Sequence, residues 1–235
     1  MQTQPHQFTR RLNEVVRELD THPAVRVTCF HVGPPARASA LRRLERRLGG
    51  TCDPGLEALY REANGVQLRW RVTTPSERQI PHPREAPAGL ARIDLLDMDG
   101  CVNLLSIEQM LEGERCLIQS SSNIRIGGRK LRGRVARRSV LFDGFSGFAS
   151  TILVHSPPGG WRLATLYDFG LSVPEDGVGS VQDYLEHLLV TRGLMIARTR
   201  SYCQRRGIPL PQLPSRWRRD RRALDGLVSA ALEGW

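Results

Sequence analysis

Between Ser39 and Val72 the rhythm of apolar positions changes twice. Leu41, Leu44 and Leu48 recur three and four residues apart, so they share one helical face and leave the arginines between them to water. Gly49-Gly50 stops that helix. Asp53 then offers an N-cap oxygen, and Pro54 suits the first helical turn, where its missing N–H is not needed. Leu56, Leu59, Tyr60 and Ala63 form the buried face of a second helix. Asn64-Gly65 is expected to end it, because both residues accept the left-handed conformation favoured at helix C-termini. From Val66 the period drops to two: Val66, Leu68, Trp70 and Val72 point one way along a strand.

The same reading extends in both directions. Phe8, Leu12, Val15, Val16 and Leu19 define an amphipathic helix over 8–20, and Val25, Val27 and Cys29 alternate as a short strand before Gly33-Pro34-Pro35. Residues 73–89 hold four prolines (Pro75, Pro81, Pro83, Pro87), which argues for an exposed loop rather than a strand. Ile93, Leu95 and Val102 to Leu105 suggest strands, interrupted by Asp97-Met98-Asp99-Gly100. Ser106 with Gln109 is a capping box opening a short helix through Leu111. Cys116 to Ile118 reads as a short strand, and the basic run 120–138 as a loop or loose hairpin. Val140 to Phe142, Phe148 to Val154 and Trp161 to Tyr167 read as strands, the last two joined across Pro157-Pro158-Gly159-Gly160. Ser180, with Asp183 three residues on, begins a helix buried along Val181, Tyr184, Leu185, Leu188 and Leu189. Beyond it, Pro209, Pro211 and Pro214 make a stiff connector to a last helix with an apolar stripe from Leu224 to Trp235. That stripe folds back on the domain or, as a basic amphipathic helix, meets a membrane surface or a partner.

Helix, break, helix, Asn-Gly, strand resembles the SUKH superfamily, which holds yeast cell-wall-synthesis regulators and bacterial toxin-immunity proteins. The residues that carry the resemblance are Leu48, Gly49, Pro54, Leu59, Tyr60, Asn64 and Gly65, with Trp70 in the strand that follows. NLLSIEQM at 103–110 and SVQDYLEHLL at 180–189 fit as well, so it covers residues 36–190. It implies an α+β fold, a largely antiparallel twisted sheet flanked by N-terminal and C-terminal helices. The chain then divides into an N-terminal helix-and-strand extension (1–35), a SUKH-like domain (36–190) and a basic helical C-terminal extension (191–235).

Charge changes the picture more than composition does. The 235 residues are 40% hydrophobic and 25% charged, ordinary globular values, but the net charge is +10. Arg125, Arg129, Lys130, Arg132, Arg134, Arg137 and Arg138 form one run without a carboxylate. After residue 190, ten arginines face Asp220, Asp225 and Glu233. Lys130 is the single lysine among 34 basic residues, a bias better explained by a GC-rich genome than by selection for bidentate phosphate contacts. No run of eighteen apolar residues exists, and the first residues lack the apolar region of a secretory signal. The five cysteines are scattered with no C-x-x-C pair, so the expectation is a reducing, bacterial cytoplasm with neither zinc nor disulfides.

Catalytic patterns fail one by one. Asp168-Phe169-Gly170 copies a kinase triplet without its companion motifs, and Gly144-Phe145-Ser146-Gly147 misses the nucleophile elbow by one position. Asp94, Asp97 and Asp99 do not align with a calcium loop, and Ile126 to Gly133 lacks the G-K-[ST] of a phosphate loop. The six histidines never fall at metal-ligand spacing on a helix. The expectation is therefore a non-enzymatic binding module without cofactor or metal. The resemblance implies an immunity protein that binds and neutralises a cognate toxin, contacting it through loops 73–89 and 120–138 and above all Arg125, Arg129, Lys130, Arg132 and Arg134. Such cations suit a partner with an acidic surface. The alternative is nucleic-acid binding through 125–138 and 192–222, where Tyr202 and Trp217 lie among arginines.

Overall fold

The computed structural model describes residues 7–73, 100–112, 125–126, 129–130, 139–144, 149–156, 160–167 and 180–194. In chain order these form α1 (Phe8–Thr21), β1 (Val25–Val32), α2 (Ala38–Leu48), α3 (Pro54–Glu62), β2 (Val66–Val72), β3 (Gly100–Leu104) and α4 (Ile107–Glu112). There follow β4 (Arg125–Ile126), β5 (Arg129–Lys130), β6 (Ser139–Asp143), β7 (Ala149–Ser156), β8 (Gly160–Tyr167) and α5 (Val181–Thr191). Six strands make one antiparallel sheet in the order β1-β2-β3-β6-β7-β8, and β4 with β5 makes a separate two-stranded ribbon. This is the expected α+β arrangement of an antiparallel sheet with helices packed on it.

The helices form where their stripes meet that sheet. Phe8, Leu12, Val15, Val16 and Leu19 of α1, the leucines of α2, Leu56, Leu59 and Tyr60 of α3, and the stripe of α5 join one apolar core with Val66, Leu68, Trp70, Val102 and Leu104. Local chemistry then sets their ends. Asp53 accepts from Gly55 N (2.8 Å) and Leu56 N (3.2 Å), and Gly49 closes α2 at φ 74°. Ser106 and Gln109 exchange bonds at the start of α4, as Ser180 and Asp183 do at α5. The Glu62 carboxylate at the far end of α3 accepts the Thr9 N–H (2.9 Å), supplying α1 with a cap that its own Gln7 does not provide.

Three features differ from the sequence reading. The short strand expected after α1 runs eight residues and pairs with β2 from Val25↔Val72 to Val32↔Val66, with a bulge between Val27 and Cys29. The first 35 residues thus supply an edge strand and a core helix. Second, α3 does not end in the left-handed region: its C-cap is Ala63 in extended conformation, and of the Asn-Gly pair Gly65 alone has positive φ, 98°. A Cβ on Gly65 would meet Ser106 N at 3.1 Å, so the glycine also admits the α4 entry. Third, β2 is buried on both faces. Opposite the Val66, Leu68 and Trp70 face, Gln67 and Arg69 are also buried, as are Cys101 and Asn103 beside them.

Segments 73–89, 91–99, 113–124 and 195–235 lie outside the described residues, apart from Thr73. The proline loop, the strands at Ile93 and Cys116, and the C-terminal helices expected from the sequence therefore lie outside the described residues.

Candidate functional site

Of the expected contact residues, Arg125, Arg129 and Lys130 lie in the β4–β5 ribbon, with Arg125 opposite Lys130 and Ile126 opposite Arg129. Arg132 and Arg134 lie outside the described residues. The pairing places three cationic positions within two rungs that, among the described residues, form a sheet of their own apart from the main one.

Of the residues that carry the resemblance, Tyr60, Asn64 and Gly65 meet at the junction of α3, β2 and α4. Pro54 opens α3 and Leu59 is buried. Tyr60 is wholly buried, its hydroxyl donating to Leu105 O (2.6 Å) beside Met110 Sδ (2.7 Å). Burial, with the nearby Cys52, Asp143 and Glu108, raises its pKa well above the usual phenol value. Asn64 acts through its side chain: Oδ1 accepts the Ile107 N–H (2.8 Å) and Nδ2 donates to Glu108 Oε2 (2.8 Å). Its backbone N–H donates to Pro34 O (2.8 Å). One asparagine therefore ties the β1–α2 connection, the β2 entrance and the first turn of α4. Partial burial raises the Glu108 carboxyl, but hydrogen bonds from Asn64, its own backbone and Ser106, with the Arg43 charge, bring its pKa below the ordinary value.

Trp70 fills the far end of the same strand. It is fully buried and donates Nε1–H to Arg192 O (2.8 Å). Arg192 is left-handed at φ 55° and itself 1% exposed, with Nη2 on Glu18 Oε2 (2.9 Å) and Nη1 on Val190 O (3.1 Å). Gly193 follows at φ 70°, and its carbonyl accepts the Cys101 N–H (2.8 Å). The end of α5 thus docks alongside β3.

A polar chain missed in the sequence crosses the centre of the sheet. Cys29 Sγ reaches Gln67 Oε1 (3.4 Å), Gln67 Nε2 donates to Asn103 Oδ1 (2.8 Å), and Asn103 Nδ2 donates to Gly144 O (2.7 Å). Asn103 N–H donates to Asp143 Oδ1 (3.1 Å), and Tyr184 OH to Asp143 Oδ2 (2.9 Å). Thr151 Oγ1 completes it, 2.9 Å from Tyr184 OH. It joins β3 to β6, whose ladder holds the single register pair Leu104↔Asp143. All these groups are buried, so the chain works as an internal brace, saturating polar atoms that would otherwise be orphaned.

Surface charges divide by element. Arg10 pairs with Glu14 (3.5 Å), Arg61 with Glu57 (2.5 Å), and Arg11 forks onto Glu186. Arg10, Arg11, Glu14, Asp183 and Glu186 line an open groove of about 560 Å³ between α1 and α5, in which the two arginines already hold carboxylates. On α2 and its N-cap, by contrast, Arg37, Arg42, Arg43 and Arg46 are exposed, and none is ion-paired among the described residues.

Cys29, Cys52 and Cys101 are buried, and burial, reinforced by Glu45, Glu57 and Asp53, pushes the Cys52 thiol up to about 12. His22 is buried and its Nδ1 accepts the Ala24 N–H (3.1 Å), while His31 is exposed. Among the described residues no three His, Cys, Asp or Glu side chains gather as metal ligands, and no helix is long and apolar enough to cross a membrane. A scan against protein-family models and a search of curated proteins return no match to the chain.

Proposed function

We propose that the protein is a non-catalytic binding module of the SUKH type, an immunity protein that neutralises a cognate bacterial toxin by occupying its surface. The observation that carries this reading is the β4–β5 ribbon. Between α4 and β6 in the sequence lies a two-stranded pairing of Arg125 with Lys130 and Ile126 with Arg129. Such a paired segment offers its cations as a contact element, and its charge suits a partner with an acidic patch. The convergence of Tyr60, Asn64 and Gly65 on α4 supports the kinship, since those residues carry the likeness to the superfamily.

The test is binding to the product of the adjacent reading frame by titration calorimetry, at low and moderate salt. Arg125→Glu with Arg129→Glu and Lys130→Glu should weaken binding at least tenfold, mainly through slower association at low salt. Affinity unchanged by the triple substitution and by salt would overturn the assignment of the ribbon. Failure of the two proteins to associate at all would overturn the immunity reading.

A further inference from the structure

Strand β1 ends the main sheet, and among the described residues its outer edge is open. At one end of the β1–β2 ladder Gly33 N–H donates to Gly65 O (2.9 Å). Bonded and non-bonded pairs alternate along an antiparallel ladder. His31 is therefore bonded to Gln67, whereas Phe30, opposite Leu68, and Val32, opposite Val66, turn their N–H and C=O groups away from β2. No described residue takes up those outward groups. Phe30 and Val32 are only partly buried where they join the core, and His31 is exposed. An edge of this kind is a template for one more strand, and a protein that has no use for it commonly blocks it with proline or lysine. Within β1 there is neither. The bulge between Val27 and Cys29 on one side, and Pro34-Pro35 on the other, shorten the ladder on offer to Cys29–Val32 without closing it.

Length and charge together decide what fits there. So short a ladder offers little to a merger of two whole sheets, and a net charge of +10 on every copy opposes self-pairing. An extended segment of another protein meets neither obstacle, because its main chain supplies the hydrogen bonds and its alternate side chains the specificity. Those side chains fall on opposite faces. On the face shared with Val66 and Leu68 they lie against Phe30 and Val32, which calls for apolar residues. On the other face they lie beside His31, and Arg26 and Arg71 share that face, opposite one another across the β1–β2 ladder. Neither β1 nor β2 contains an Asp or Glu, so this face suits carboxylates. We propose that the β1 edge from Cys29 to Val32 accepts an extended acidic segment of a partner protein as a further antiparallel strand, its apolar residues over Phe30 and Val32 and its carboxylates on the side of His31 and Arg26. This edge is separate from the β4–β5 ribbon and does not rest on the toxin reading.

The experiment follows amide hydrogen exchange by NMR on the full chain, with a capped octapeptide of alternating valine and glutamate as the probe. In the free protein the Phe30 and Val32 amides should exchange at least tenfold faster than that of His31, which the β2 ladder holds. Saturating peptide should slow both at least tenfold. The same peptide N-methylated at its valines, whose N–H groups an antiparallel strand aims at β1, should have no effect. An alternating valine–lysine peptide should bind at least tenfold more weakly at low salt. Val32→Pro removes an outward N–H and leaves the β2 ladder alone, so it should abolish binding while the His31 amide stays protected. The N-methylated probe meets the unaltered protein, so its failure to bind will not reflect lost folding. Unchanged exchange at Phe30 and Val32 with the glutamate peptide, or equal protection by the N-methylated or the lysine peptide, would each overturn the proposal. Protection that grows with protein concentration in the absence of peptide would assign the edge to a second copy of the chain and overturn it as well.

Discussion

Asp143 offers the sharpest test of how the sheet is held together. It lies at the β3–β6 seam, fully buried, taking the Asn103 N–H on one oxygen and the Tyr184 hydroxyl on the other. Replacing it with alanine removes two hydrogen bonds to a carboxylate, each worth about 1.5–3 kcal/mol, and leaves the Asn103 N–H buried without its acceptor. Tyr184 keeps Thr151 at 2.9 Å, so part of its loss is recovered. The expected cost of Asp143→Ala is about 3–5 kcal/mol, a large share of the 5–15 kcal/mol typical of a whole domain. Asp143→Asn should cost about half as much or less. Its oxygen still serves Asn103, and its amide donates to a tyrosine hydroxyl that turns its proton to Thr151. Urea unfolding followed by circular dichroism measures both, and a double-mutant cycle with Tyr184→Phe should return a coupling of about 1–2 kcal/mol. An alanine variant within about 0.5 kcal/mol of the parent, or a coupling of zero, would refute the brace.

Other consequences are as open to measurement. Gly100→Ala would place a Cβ 2.0 Å from Trp70 Nε1, so the ring must move off Arg192 O; a loss of about 3 kcal/mol or more is expected in thermal or urea melts. Asn64→Ala should cost about 1–2 kcal/mol by uncapping α4. Asn64→Asp should be worse at neutral pH, because it sets a carboxylate against Glu108, and should recover as the pH falls below about 4. In the parent, the lowered Glu108 pKa means that its contribution is present above the unfolded carboxyl value and fades as acid titrates the folded group; thermal melts against pH show whether Asn64→Ala removes that slope. Cys52, raised from 9.0 to about 12, should resist thiol reagents at neutral pH until the protein is unfolded. The stability linked to it is complete below pH 9 and declines as pH climbs toward 12.

What could be read from the sequence was local. The stripe of α1, the caps at Asp53, Ser106 and Ser180, and the buried positions of Tyr60 and Trp70 follow from spacing alone, because a periodic face or a cap involves residues within four of one another. Asn64 was misjudged for a physical reason. Asn-Gly usually signals a left-handed C-cap, but here the better use of the side chain is to cap a helix whose first residue is 43 positions away. The alternation of Val66, Leu68, Trp70 and Val72 marks one buried face of β2, and only the pairing of β1, β2 and β3 shows that the other, with Gln67 and Arg69, is buried too. The polar chain from Cys29 to Thr151 draws on five strands and α5, so no window of sequence contains it. On the surface, composition was legible and pairing was not. Arg10 and Arg11 of α1 look like Arg42 and Arg46 of α2 until Glu14 and Glu186 are placed beside the first two.

The single rung between Leu104 and Asp143 has a bearing on how such chains diversify. Where two sheet halves meet at one register pair, with the backbone bonds Leu105 N–H to Phe142 O and Gly144 N–H to Asn103 O beside it and side chains completing the seam, the stretch of chain connecting them is under little obligation to a fixed length. Relatives could lengthen, shorten or rewrite the region that carries β4 and β5 while keeping Asn103, Asp143 and Tyr184. A lineage pressed to recognise changing partners would then find new specificities there at small risk to the rest of the molecule.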